Sequence, residues 1–381
     1  MKFIFAPDSF KGSMSALEIV GMLSKVAKKH FPEAETICVP VADGGEGTVD
    51  ALVAAVGGEV CVRTVTGPMS EPVQAKYGLL SGGTAILEMA QTSGLPVARN
   101  AQNPMKATSA GLGELITYLL DHQITKLLIG IGGSATNDCG MGMLSMLGAK
   151  FYDANEDVLQ GSGEALARVK HIELDGMHPA LRDAEIQVIC DVSNPLLGPS
   201  GATAVYGPQK GVTQDQHVVL EAGMAHFSGL VERVIGRDIS TFPGSGAAGG
   251  MGAALGGILG AQLKSGIDVV LDIVGFDDLL DTCDLVITGE GRLDRQSVDF
   301  GKVPTGVSLR CARRNVPVIA IVGSMGEGSE AFCSVARSSI MTTINAPMNI
   351  DSAMENAKEL FMSAADRAFR IIKIGFDMNR Y

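Results

Sequence analysis

The sequence predicts an α/β fold with a mostly parallel sheet, and three observations carry that expectation. The chain opens as an alternation of strand and helix. Short apolar runs end repeatedly in loops that join glycine to an acidic residue. The uncharged run Leu127–Ile131 leads through a glycine-rich loop to Met141, Leu144, Met146 and Leu147 at helical spacing. Alternating strands and helices argue for parallel pairing through right-handed crossovers. An uncharged strand is what a sheet covered on both faces requires. A length of 381 residues allows about two domains.

Taken in order, residues 3–6 form the first strand, and Ser15-Ala16-Leu17-Glu18 has the pattern of a capping box. Ile19, Leu23, Val26 and Ala27 then share one helical face. Residues 37–42 form a second strand, 48–56 a second helix and 60–66 a third strand of the same parallel run. The stretch Thr66–Val73 marks a change of architecture, read as a domain crossing. Residues 85–89 make a strand with Glu88 oddly placed inside it, and 110–120 make a helix leading to the central loop. Residues 187–192 form a strand that reaches Asp191, with Ser193-Asn194-Pro195 behind it. Residues 244–263 lack charge but are mostly glycine and alanine, which suits a loop running into a tightly packed helix better than a membrane span. Strands follow at 285–288, 318–322 and 340–344. The closing helix runs from about Ser352, with Ala357, Leu360, Phe361, Ala364, Ala368 and Ile371 buried.

Composition narrows the function. A net charge of −12 and the lack of a lysine or arginine cluster exclude nucleic acid and anionic membranes as expected partners. The seven cysteines are scattered, never spaced C-x-x-C, and suggest neither zinc nor a disulfide framework. The amino terminus turns polar at Asp8, unlike a signal peptide, so a cytoplasmic location is expected. Whether the protein forms a homo-oligomer is left open by the sequence.

Ligands of parallel sheets bind beyond the carboxyl ends of the strands. Those ends carry Asp8, Asp43, Glu46, Asp138, Asp191, Glu290 and Asp294, accompanied by Lys11, Lys210, Arg292 and Lys302. Each acid alone is more readily a cap or turn residue, but the set matches phosphoryl transfer. There, carboxylates hold Mg²⁺ and orient the nucleophile while amides and cations neutralise phosphate oxygens. Gly132, Gly133 and Ser134 present backbone N–H groups suited to an anion, and Thr136, Asn137 and Asp138 beside them suit a hydroxyl or a metal. A Walker A loop is absent, and the two loose dinucleotide fingerprints, at Gly130 and at Gly244, are weak in so glycine-rich a chain.

The motifs APDSFKGSMSA (6–16), PVADGGEGT (40–48), EMAQTSGL (88–95), IGGSATND (131–138), CDVSNPL (190–196), GPQKG (207–211), GAAGGMGA (246–253) and ITGEGRLD (287–294) follow one another in order. With them the sequence resembles the bacterial glycerate kinase family, nearly end to end. It departs at Cys139, where the family usually has glycine, and by one extra residue within 297–300. The resemblance implies two α/β domains around a cleft, one of them Rossmann-like and discontinuous in sequence. The expected boundaries are 1–67 plus 265–381 for the Rossmann-like domain and 68–264 for the second.

The resemblance also implies ATP-dependent, Mg²⁺-requiring phosphorylation of D-glycerate to 2-phosphoglycerate. The alternatives are 3-phosphoglycerate as product, or a non-catalytic regulator that binds a small anion. A nicotinamide-dependent dehydrogenase is favoured only by the loose fingerprints. Within the kinase reading, Lys11 is the candidate for the glycerate carboxylate, with Asp8, Ser9, Asn194 and Lys210 as further substrate contacts. Asp191 or Asp43 would accept or align the hydroxyl proton. Gly132, Gly133 and Ser134 would face phosphate, and Glu46, Glu290 and Asp294 would serve the metal.

Overall fold

Five parallel strands lie side by side in the order Ser338–Thr342, Val318–Val322, Leu285–Gly289, Lys2–Pro7 and Glu35–Cys38. The computed structural model to which they belong describes residues 1–41, 47–98, 103–299 and 302–378. The chain divides into two units. One comprises Met1–Asp43, Ala54–Val56 and Gly266–Tyr381, and the other Gly44–Val53 and Gly57–Ser265.

The five-stranded sheet belongs to the first unit, and apart from Lys2 at a strand start its inner strands are uncharged, because helices cover both faces. On one face Phe3 and Phe5 pack against Ile19, Leu23 and Val26 of helix Ala16–His30 and against Phe361 and Phe369 of helix Ala357–Met378. The Phe3 and Phe369 rings meet edge to face with centroids 5.5 Å apart. Each such ring, once buried, contributes roughly 1.5–3 kcal/mol. Helix Val303–Arg313 packs on the strands Lys2–Pro7 and Leu285–Gly289.

The capping box forms as the sequence predicts. Ser15 Oγ accepts from the Glu18 amide at 3.2 Å, and Glu18 Oε2 accepts from the Ser15 amide at 2.9 Å. The closing helix differs from expectation. A separate turn of helix, Ile350–Glu355, precedes Ala357–Met378. Ile371 stands 61% exposed, because the buried stripe runs through Leu360, Phe361, Ala364, Ala365, Ala368 and Phe369 instead.

The second unit is built on six strands in the order Gln262–Lys264, Glu185–Ile189, Lys126–Gly130, Thr84–Glu88, Pro72–Leu80 and Glu59–Thr66. The first four are parallel and the last three an antiparallel meander. Glu59–Thr66 therefore does not continue the opening parallel run. It pairs antiparallel with Pro72–Leu80 at the sheet edge, where Glu59 and Arg63 remain compatible with solvent. The stretch read as a crossing is the turn of this hairpin, closed by the Gly67 amide on the Glu71 carbonyl at 2.6 Å. The core lies between the sheet and helices that include Ala110–Asp121 and Gln214–Ile235.

Residues 244–263 fold as a glycine-rich loop with the short helix Ala247–Gly252 and the π-helical turn Ala253–Ile258. Among the described residues no helix is long and apolar enough to cross a membrane.

Candidate functional site

In the first unit, Pro7 lies opposite Gly289, so the neighbouring strands Lys2–Pro7 and Leu285–Gly289 end level with each other. The loops that leave them bring together Asp8, Ser9 and Lys11 from one and Glu290 and Arg292 from the other. With Lys302 these residues line a cavity of about 540 Å³. The Asp8 amide donates to the Gly289 carbonyl at 2.9 Å, and Asp8 Oδ1 accepts from the Ser9 amide at 2.6 Å. Glycine is required where the next strand ends, since a Cβ on Gly323 would stand 2.3 Å from the Gly291 carbonyl oxygen. Ile344, Met348, Ile350 and Met354 add large apolar side chains to the same lining.

Glu290 is the group most altered by this setting. It is 7% exposed, and its Oε1 has no hydrogen-bond partner. Burial pushes the carboxyl up to about 7, against the pull of Lys302 and Lys11 and with Asp294 adding to the rise. Asp294 starts the short helix Arg295–Asp299, its Oδ1 accepting from the amides of Gln296 at 3.1 Å and Ser297 at 3.2 Å. Its Oδ2 lies 3.6 Å from Arg292 Nε.

In the second unit, the strand Lys126–Gly130 is central, between Thr84–Glu88 and Glu185–Ile189. The loop behind it is pinned on several sides. Leu95 donates to the Gly133 carbonyl at 2.8 Å, and Ala135 to that of Ser93 at 2.9 Å. Gly133 is exposed and left-handed at φ 71°, while Ser134 is buried.

Asp138, read from sequence as suited to a hydroxyl or a metal, is fully buried. It accepts from Ser109 Oγ at 2.7 Å and from the amides of Ser109, Gly140 and Gly142 at 2.9, 3.1 and 3.2 Å. Burial pushes its carboxyl upward while these donors pull it back. Cys139 sits at φ 48° and Gly140 at φ 68°. A glycine at 139 would take that left-handed conformation at less cost than cysteine.

Lys210 is also buried. Its Nζ donates to the Thr136 carbonyl at 2.7 Å, and burial pushes its ammonium down to about 7, opposed by the charge of Asp138. The same carbonyl explains the glycine motif. Gly249 has φ 70°, and a Cβ there would lie 2.1 Å from Thr136 O. Thr136 Oγ1 and Asn137 Oδ1 are buried without a hydrogen-bond partner.

Asp191 lies two residues beyond the strand Glu185–Ile189 and is half-buried. Asn194 spends its side chain on the fold. Nδ2 donates to the Ser200 carbonyl at 2.8 Å, and Oδ1 accepts from Tyr206 Oη at 2.6 Å. Asp43 and Glu46 lie outside the described residues.

The structure thus groups Asp8, Ser9, Lys11, Glu290 and Asp294 in one unit. The other holds Gly132, Gly133, Ser134, Asp191, Asn194 and Lys210. Glu88, odd in the sequence, ends its strand buried and accepts from the Val49 amide at 2.7 Å, at the start of helix Thr48–Val56. Its position at a strand end was the available signal. The apolar lining at 344–354 belongs to no motif, and nothing in the sequence marks it.

The glycerate kinase family's sequence model matches residues 3–373. The glycerate kinase of Bacillus subtilis (strain 168) is 43% identical over 380 residues, covering 99% of each chain. The glycerate 2-kinase of Escherichia coli (strain K12) is 41% identical over 377 residues, covering 98% of this chain and 99% of that one. A solved structure from Salmonella typhimurium LT2, assigned provisionally as glycerate kinase 2, superposes with a TM-score of 0.85 at 40% identity, covering 99% of both chains. Similarity of that extent means that the chain belongs to the glycerate kinase family.

Proposed function

We propose that the protein transfers the γ-phosphoryl group of ATP to the 2-hydroxyl of D-glycerate, giving 2-phosphoglycerate and ADP. The geometry that supports phosphoryl transfer best is the gathering of Asp8, Lys11, Glu290 and Lys302 around one cavity at the level ends of parallel strands. In the reaction the substrate oxygen forms a bond to the γ-phosphorus, the bond to the β-phosphate oxygen breaks, and ADP keeps that electron pair. The hydroxyl proton passes to a carboxylate, for which Asp191 is our candidate among the described residues and Asp43 the second. The backbone at Gly132, Gly133 and Ser134 is proposed to face phosphate oxygens. Asn194 and Lys210, engaged within the fold, are proposed to act through the loops they hold.

Mg²⁺ commonly takes one or two protein carboxylates and fills its remaining positions with phosphate oxygens and water. Glu290, with an unpartnered Oε1, and Asp294 fit such a role. Among the described residues no group of three or more acidic, histidine or cysteine side chains could hold a metal alone. The donor set therefore suits an ion that arrives with the nucleotide, where it neutralises phosphate charge.

ADP release on adding D-glycerate, abolished by EDTA, is the expected result. Phosphorus NMR of the product then distinguishes the 2- from the 3-phosphate. Tight glycerate binding without ADP release would replace the kinase by the regulator, and 3-phosphoglycerate would overturn the regiochemistry.

A further inference from the structure

We propose that the cavity beside Asp8 and Glu290 is the nucleotide site, with the purine base against Ile350 and Met354 and the phosphates toward Lys11 and Lys302. The inference rests on the kinase reading and deepens it, since it decides which substrate this cavity takes. Size is the first argument. A cavity of about 540 Å³ lies within the range that encloses a drug-sized ligand. D-glycerate, with three carbons and four oxygens, would fill a small part of it.

The mixed lining is the second argument. Lys11, Lys302 and Arg292 give the cavity positive charge. In the same lining Met348, Ile350 and Met354 stand 37%, 72% and 42% exposed, together with Ile344. Large apolar side chains left together in water at a cavity mouth gain free energy when a flat apolar surface covers them. Glycerate has no such surface, because every carbon it owns carries oxygen. A purine has two faces of it. A molecule with one apolar end and one polyanionic end satisfies both kinds of lining residue, and in this reaction only the nucleotide has that form. Lys11 then meets phosphate oxygens, and the glycerate carboxylate is held elsewhere.

The test is calorimetric titration of the full-length protein with ADP and Mg²⁺, and separately with D-glycerate. Ile350→Asp is the main variant, chosen because so exposed a side chain is dispensable for folding. Met354→Glu is the second, and Ile350→Val the conservative control. The expected result is a loss of ADP affinity of about tenfold or more in both acidic variants, with D-glycerate affinity unchanged and the control like wild type. Unchanged ADP affinity in both acidic variants would overturn the assignment, as would a selective loss of D-glycerate binding. The kinase reading fails independently. If Ile350→Asp loses ADP binding but wild type shows no turnover with D-glycerate, the nucleotide site stands and the reaction falls. If wild type turns over and the acidic variants bind ADP normally, the reaction stands and the site falls.

Discussion

Lys210 Nζ and the carbonyl oxygen of Thr136 lie 2.7 Å apart in the interior of the second unit, joining residues 74 positions apart. An ammonium in that position holds the loop that begins at Gly132 from beneath, and burial costs it much of its affinity for a proton.

That cost makes the lysine visible to pH. Its folded value is about 7, against an ordinary 10.5. Between those values the unfolded chain binds more protons than the folded one, so stability rises with pH across that window and is flat below it. Lys210→Met should remove this rise. Thermal midpoints of wild type and variant, measured from pH 6 to 10, should diverge in favour of wild type as pH increases. Parallel profiles would mean that the ammonium is not desolvated.

Glu290 shows the opposite sign. Its folded value is about 7, against an ordinary 4.5, so between the two the folded state holds the extra proton. Stability contributed by this group is full below about 4.5 and declines as pH rises to about 7. In EDTA-treated protein, Glu290→Gln should therefore gain in thermal midpoint over wild type through that interval and hold the gain above it. A constant difference across the interval would contradict the buried setting.

Two glycines should respond oppositely to the same change. Gly249 has φ 70° and would place a Cβ 2.1 Å from a backbone oxygen, whereas a Cβ on Gly229, in helix Gln214–Ile235, would meet nothing within 4 Å. Gly249→Ala should destabilise by more than about 2 kcal/mol, and Gly229→Ala should stabilise by roughly 0.5–1 kcal/mol. Urea unfolding of the two variants decides it, and equal midpoints would refute the close approach.

Asp191→Asn should lower kcat by roughly 10²-fold or more if the carboxylate takes or aligns the hydroxyl proton. Asparagine keeps the shape and one acceptor, so a turn role would survive it. The assay is kcat at saturating ATP, Mg²⁺ and D-glycerate, with the thermal midpoint as control. A stable variant with near-normal kcat would move the role to Asp43.

What the sequence made legible was local. The box of Ser15 and Glu18 spans a single helical turn, and the uncharged run before Gly132 needs no partner to be recognised as a buried strand. Pairing is not local, and there the reading failed. Glu59–Thr66 finds its place through Pro72–Leu80, and the charges at Glu59 and Arg63 were the overlooked sign of an edge. Asp138 follows the same rule. Its hydroxyl donor comes from Ser109, and nothing in IGGSATND says that the carboxylate is already occupied. The apolar residues Ile344, Met348, Ile350 and Met354 take their meaning from sharing one cavity with Lys11 and Lys302, a relation that only the fold creates.

The strand Lys2–Pro7 has a consequence for how the chain is made. It is paired on one side with Leu285–Gly289, and the Thr288 hydroxyl reaches back to the Ala6 carbonyl across 282 residues. At roughly 5–20 residues per second, the ribosome delivers that partner about 15–55 s after the strand itself. The second unit needs nothing beyond Ser265 and is free to close in the interval. Until then the nascent strand, with Phe3 and Phe5 in it, can count on Ala16–His30 and Glu35–Cys38 among its folded-state neighbours. The early segment therefore waits with apolar surface unpaired, within reach of chaperones and of aggregation during synthesis.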